Sequence, residues 1–301
     1  MALKRVQVPA HGHLRHTETL GQLGHGDSAR TLHQAQSQVQ TIGDAHPSVL
    51  AHYDVRSNIS VCEPRKVRRY AWRGAQHRVV APVTSAKTAL SLEALSGGRF
   101  VMGIGAGGPG GDSDAFGGGP LNRAERTARF AEWVELTDLL LTQADTDFSG
   151  RYFAAREVAI GGGRPRRPPL AVAGTAKRGM ELAARFADLW ITQDAGQDPG
   201  AYAGTPHAEV RRQIVLLDEV CAEQGRDPGT LPRLAVLGYG GERPLASIEA
   251  FRDCLGRYEQ IGITTLAVLW PRGDQARAQL AVLEQAAGEV GANCRIRGGL
   301  A

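Results

Sequence analysis

Cysteine is scarce in this chain of 301 residues: Cys62, Cys221, Cys254 and Cys294 lie far apart, with no CxxC pair. That spacing argues against a disulfide framework or a structural zinc site and fits a reducing cytoplasm. Long apolar runs are missing too, since none approaches the roughly 20 residues a membrane helix requires. Met1 to His13 is broken by proline and histidine and lacks the apolar core of a signal peptide. No GxSxG elbow, HExxH pair, P-loop or kinase motif occurs, so nucleophilic and metal-assisted hydrolysis have no visible apparatus. The histidine pair His11 and His13 is weak evidence for a metal, and no metal site is expected.

Positive charge is present but concentrated. Residues 1–80 hold 11 Lys and Arg against 5 Asp and Glu, while residues 81–301 hold 24 against 26. Eight of the nine histidines also fall in that first stretch, so the basic character belongs to the N-terminal quarter. Arg65, Lys66, Arg68, Arg69 and Arg73, with Tyr70 and Trp72 between them, admit two readings. One is a nucleic-acid-binding arm. The other, favoured because charge runs are usually solvated, is an exposed stretch with no nucleic-acid partner.

Regular patterning begins at Pro82, which divides the chain into an atypical segment 1–81, a domain 82–291 and a tail 292–301. Thr84 to Leu95 reads as a helix stopped by Ser96-Gly97-Gly98. Phe100 to Ile104 reads as a buried strand running into a glycine-rich loop. Asn122 and Glu125 have capping-box spacing at the start of a long helix. Its buried stripe is Phe130, Trp133, Val134, Leu136, Leu140 and Leu141. Strands follow at 170–173, 189–191, 234–237 and 264–270, separated by a helix through Met180, Leu182, Ala183 and Phe186 and helices at about 207–224 and 247–261, with a last helix at 275–290. Strands alternating with helices of this length predict an α/β fold with a parallel sheet.

Three segments carry candidate chemistry. Gly103-Ile104-Gly105-Ala106-Gly107-Gly108 satisfies GxGxxG after a strand, but no helix opens until Asn122, so it fails as a dinucleotide fingerprint. A strand ending in a loop over a pocket, where glycines let backbone approach a flat ligand, suits it better. Gly174-Thr175-Ala176-Lys177-Arg178-Gly179 follows a strand and opens a helix. It reads either as a phosphate cradle or as an ordinary helix start with exposed cations. Arg123 and Arg126 fit surface ion pairs, Arg126 with Glu125 or Asp112, or an anion-binding role. Trp190 and Trp270 end strands and could wall a planar cofactor or simply pack. His207 is isolated and reads as a loop histidine.

Taken together, these segments resemble the luciferase-like monooxygenase family. Leu92 to Phe100 followed by Gly103 to Gly107 carries the likeness first. Ala115-Phe116-Gly117, Phe148 to Phe153, Gly174 to Met180, Ala183 to Trp190 and Tyr258 to Pro271 continue it in order, over about residues 82–290. The resemblance implies a (β/α)8 TIM-type barrel binding FMN or the deazaflavin coenzyme F420 at the C-terminal ends of its strands. It implies an oxidoreductase, in most members a monooxygenase, acting on a small molecule, with a homodimer or a flavin reductase as partner. On this pattern Gly105, Ala106 and Gly107 edge the ring system. Gly174, Thr175, Ala176, Lys177 and Arg178, with Arg123 or Arg126, hold the phosphate, and Trp190 and Trp270 stand near the cofactor wall. No catalytic residue transfers. The first 80 residues do not match the family's opening βα units, so the barrel is expected to be short of its N-terminal strands or to replace them. Lys177 stands where members commonly have proline, and Ala106 replaces a charged residue some members use. The alternative is a degenerate cofactor-binding barrel without catalysis.

Overall fold

The computed structural model describes residues 59–62, 75–76, 80–98, 100–107, 121–161, 167–194, 205–269, 271 and 273–297, all within the unit Ser48–Ala301. Strands β1 (Ile59–Cys62) and β2 (Ala75–Gln76) precede helix α1 (Pro82–Ser96) and strand β3 (Met102–Gly105). Helix α2 (Arg123–Thr142) leads into a hairpin of β4 (Thr146–Ser149) and β5 (Ala154–Val158). Three βα steps follow: β6 (Leu170–Ala173) with α3 (Lys177–Phe186), β7 (Leu189–Gln193) with α4 (Pro206–Glu223), and β8 (Arg233–Leu237) with α5 (Ile248–Gln260). Strand β9 (Thr265–Leu269) and helix α6 (Ala276–Arg297) close the chain.

The main sheet has the order β1-β9-β8-β7-β6-β3-β2, and every pairing from β2 through β9 is parallel. Only β1 runs antiparallel, against β9. Sequential parallel strands joined by helices are the repeating unit of a TIM-type barrel. The barrel is partial: β1 and β2 stand at opposite ends of the strand order, and no pairing joins them among the described residues. Two strands thus come from the stretch before Pro82, where the sequence offers few convincing ones. The last helix also continues to Arg297, through most of the expected tail.

Local sequence explains the helix boundaries. Asn122 Oδ1 accepts the Glu125 N–H at 2.9 Å while Glu125 Oε2 accepts the Asn122 N–H at 3.3 Å, the reciprocal box its spacing predicts. Thr205 and Ser247 cap α4 and α5 in the simpler way. Gly97, with φ of 61°, takes the left-handed turn that ends α1. At the far end of α3, Arg226 Nη1 donates to the carbonyls of Ala183, Ala184 and Ala187, supplying a cation where the helix dipole is negative.

Alternation along the strands divides the core into two layers. Ala171, Leu189, Ile191, Leu234, Val236 and Ala267 form the inner layer. Leu170, Val172, Trp190, Ala235, Leu237 and Leu266 face the helices, packing with Phe130, Trp133, Leu136, Met180 and Leu217. All six residues expected for the α2 stripe are buried. Trp133 also donates its indole N–H to Val80 O at 2.9 Å, tying the approach to α1 onto α2.

The hairpin β4–β5 has no counterpart in the sequence reading. Glu132 on α2 holds its turn, because its carboxylate accepts the N–H groups of Arg151, Tyr152 and Phe153. A side chain at Gly150 would crowd that carboxylate and the Phe148 ring, so glycine leaves room for the grip.

Candidate functional site

In a barrel of this kind the C-terminal ends of the strands carry the site. There the β3–β6 register places Gly105 opposite Ala173. Gly105 to Gly107 therefore lies beside Gly174 to Arg178, the two glycine segments singled out in the sequence. A Cβ on Gly105 would meet Ala173 Cβ at 3.4 Å, an ordinary contact, whereas Gly107 has φ of 69° and open space around it.

Gly174 is built differently. A Cβ there would lie 2.6 Å from the carbonyl carbon of Gly179 and 2.8 Å from its Cα. Strand end and first helical turn touch backbone to backbone, and only glycine at both positions permits it. From the other side, Trp190 Nε1 donates to Gly174 O at 2.8 Å, and Gly174 N donates to Ile191 O at 3.2 Å. Trp190 is fully buried on the helix-covered layer. Its position supports Gly174 from behind, and its ring packs in the core.

Helix α3 begins without a side-chain cap at Ala176. Gly179 N already donates to Ala176 O at 2.9 Å, whereas the N–H groups of Lys177 and Arg178 precede the first intrahelical acceptor, and the helix dipole makes this end positive. Beside them the Thr175 hydroxyl oxygen is shielded from solvent and has no hydrogen-bond partner among the described residues. A buried hydroxyl without a partner is uncommon, and a phosphate oxygen would satisfy it. The residues present fit a phosphate group.

The two cations of this segment are already engaged. Lys177 Nζ lies 2.8 Å from Glu223 Oε2, and Arg178 lies 3.8 Å from Glu181 while 83% exposed. Arg123 is exposed and Arg126 half-buried, and neither guanidinium has an ion pair among the described residues. Of the proposed Arg126 partners, Glu125 serves the capping box and Asp112 lies outside the described residues. Trp270, Arg65 to Arg73, His11 and His13 also lie outside them.

Two carboxylates at this end of the sheet lie outside the segments with recognisable sequence patterns. Asp194, 3% exposed just past β7, accepts the N–H groups of Gly238, Tyr239 and Gly240 at 2.9–3.0 Å. Three converging backbone N–H groups form an anion-binding concavity, and Asp194 fills it. Burial pushes the Asp194 carboxyl above its ordinary value against those three hydrogen bonds. The turn after β8 is thereby spoken for, and the turn after β6 keeps its donors open. A glycine pair following a strand, Gly238 and Gly240, is the sequence signal that could have marked this nest.

Glu242, in the same loop, accepts both Arg257 Nη groups at 3.1 Å and the Tyr258 hydroxyl at 3.2 Å, with Cys254 Sγ at 3.4 Å. Burial pushes Glu242 up, but the Arg257, Cys254 and Tyr258 hydrogen bonds outweigh it and hold the carboxyl below its ordinary value. Burial, then the Glu242 charge, pushes the Cys254 thiol up to about 12, so this thiol is unreactive. His207 sits in the first turn of α4, with its Nε2 3.1 Å from Arg257 O and its ring edge-on to Tyr258. It is a packed helix residue rather than a loop histidine. Among the described residues no group of three or more His, Cys, Asp or Glu could hold a metal ion, and no helix is long and apolar enough to cross a membrane.

These features define a βα-barrel protein in which, among the described residues, the open donors lie after β6. The profile of the luciferase-like monooxygenase family matches residues 76–239, and the chain belongs to that family. A pyrimidine monooxygenase, RutA, from Bradyrhizobium sp. (strain BTAi1 / ATCC BAA-1182) is 28% identical over 175 residues, covering 57% of this chain and 47% of its own. The chain thus spans about half the length of that curated relative. Among solved structures, an F420-dependent secondary alcohol dehydrogenase with an F420-acetone adduct aligns with TM-score 0.45 at 18% identity, over 71% of this chain and 62% of its own. A riboflavin lyase (RcaE) with modified FMN and riboflavin aligns with TM-score 0.44 at 16% identity, over 64% and 44%.

Proposed function

We propose that this protein binds FMN or coenzyme F420 at the C-terminal ends of β3 and β6 and serves as an oxidoreductase of the monooxygenase type acting on a small organic molecule. The observation that carries the reading is the Thr175 hydroxyl, without a hydrogen-bond partner among the described residues, at the uncapped start of α3 in a member of the luciferase-like family. Thr175 and the N–H groups of Ala176, Lys177 and Arg178 would hold the phosphate. Gly105, Ala106 and Gly107 would let the ring system lie against bare backbone, and Arg123 or Arg126 would add positive charge. Trp190 would act through Gly174, keeping the turn in place. When bound, the coenzyme supplies the redox chemistry, with oxygen as acceptor for a flavin and hydride transfer for the deazaflavin. The protein orients the ring and shields it from water. A flavin reductase would supply the reduced coenzyme, and a homodimer is the proposed assembly.

A second reading, a coenzyme-binding scaffold without turnover, is favoured by one observation: β1 and β2 do not pair among the described residues. Fluorescence titration of the full-length protein with FMN and, separately, with F420 tests the binding common to both readings. The expected result is saturable micromolar binding of one of the two. Binding of neither by folded protein would overturn the proposal.

A further inference from the structure

The cations of the α3 segment point away from its opening. Lys177 Nζ contacts both oxygens of Glu223, at 3.0 and 2.8 Å, across to the last residue of α4. Just beyond Glu223 the chain runs along the body of α3: Gln224 donates to Glu181 O and Arg226 to Ala183, Ala184 and Ala187. Glu223 therefore draws the Lys177 ammonium down the side of the helix, away from the N-terminal turn that holds the open donors. Glu181 on α3 and Glu219 on α4 add negative charge around the same ammonium. Arg178, 83% exposed, lies 3.8 Å from Glu181, one turn further along the helix. Within the segment, the donors left at the opening are neutral, the Thr175 hydroxyl and backbone N–H groups with the half-charge of the helix end, and further positive charge is that assigned above to Arg123 or Arg126.

We propose that Glu223 sets the charge this cradle accepts: by holding Lys177 aside it favours a singly charged phosphodiester over a doubly charged phosphomonoester. The inference rests on the coenzyme-binding reading above. The two candidate coenzymes differ in this respect. FMN ends in a phosphomonoester carrying nearly two negative charges at neutral pH, whereas the phosphate of F420 is a diester with one. Glu223 is thus a specificity-determining residue that does not itself touch the ligand.

The test compares full-length wild type with Glu223→Gln by fluorescence titration at low salt. The probes are FMN and riboflavin 5′-methylphosphate, which shares the ring and ribityl chain but carries a single phosphate charge. Freeing Lys177 should strengthen FMN binding about fivefold and the methyl ester about twofold, the scale of one partly screened charge contact. Adding Lys177→Met to Glu223→Gln should cancel both gains. Arg123 and Arg126 are the same in all three proteins and drop out of the ratio. Equal gains for the two probes, or no gain, would overturn the inference alone. If FMN, its ester and F420 all fail to bind wild type, the coenzyme reading falls and this inference with it.

Discussion

Gly174→Ala is expected to destabilise the protein by about 3 kcal/mol and to weaken phosphate-dependent coenzyme binding at least about tenfold. The new methyl group would sit 2.6 Å from a backbone carbon of Gly179, and backbone cannot swing aside as a side chain does. Either β6 and α3 separate, or the turn between them deforms. Separation breaks buried packing around Val172 and Met180, both fully buried. Deformation moves the Thr175 hydroxyl and the first-turn N–H groups off a common centre, and donors out of line lose most of their strength. For a domain of this size the stability loss corresponds to a fall of roughly 6–12 °C in Tm. Gly256→Ala is the control: that glycine lies inside α5 with nothing within 4 Å of an added Cβ. There alanine should stabilise by about 1 kcal/mol through helix propensity alone. Thermal unfolding followed by circular dichroism reads both, and equal effects would contradict the close-approach explanation.

The second large effect is expected at Glu242. Its side chain is 11% exposed and gathers Arg257, Tyr258 and Cys254 onto the loop after β8. Glu242→Ala leaves the fully buried Tyr258 hydroxyl without its acceptor and half of the Arg257 guanidinium unpaired. Arg257 keeps Asp253 at 2.8 Å, which limits the damage. The cost should be about 3 kcal/mol, between a lost buried hydrogen bond and a fully broken buried ion pair. It should also change the pH dependence. The folded protein holds Glu242 below its ordinary value of 4.5, so its contribution is complete above that pH and is lost as pH falls through the depressed folded value. Urea unfolding across the acid range should therefore show a component of wild-type stability that fades below pH 4.5 and is missing in Glu242→Ala. Parallel pH profiles for the two proteins would show that Glu242 makes no charged contribution.

Much of this arrangement was legible in the sequence because it rests on local patterns. The box formed by Asn122 and Glu125 is a three-residue spacing, and the α2 stripe from Phe130 to Leu141 follows the helical period. The strand Leu170–Ala173 is a short apolar run that ends in glycine. The order of the glycine segments after β3 and β6 then follows from parallel pairing. Other features were hidden because they depend on contacts distant along the chain. Asp194 meets its N–H donors 44 to 46 residues later, and Glu132 meets the hairpin turn 19 to 21 residues later. Neither spacing is a pattern that periodicity can mark. The face of Trp190 was likewise illegible, since Leu189-Trp190-Ile191 is apolar on both sides, as strands buried on both faces are. Only the layer assignment puts Trp190 beneath Gly174. Strand β2, two residues long, carries no period at all.

The central claim is that the turn from Gly174 to Arg178 grips a coenzyme phosphate. Its most direct test is the affinity of the wild-type protein for each phosphorylated coenzyme against its phosphate-free counterpart: FMN against riboflavin, and F420 against its chromophore lacking the phosphate. The hydrogen bonds from Thr175 and the first turn of α3 to a charged group predict at least about a tenfold preference for the phosphorylated form. Equal affinity for the two forms would place the phosphate outside this turn and contradict the account.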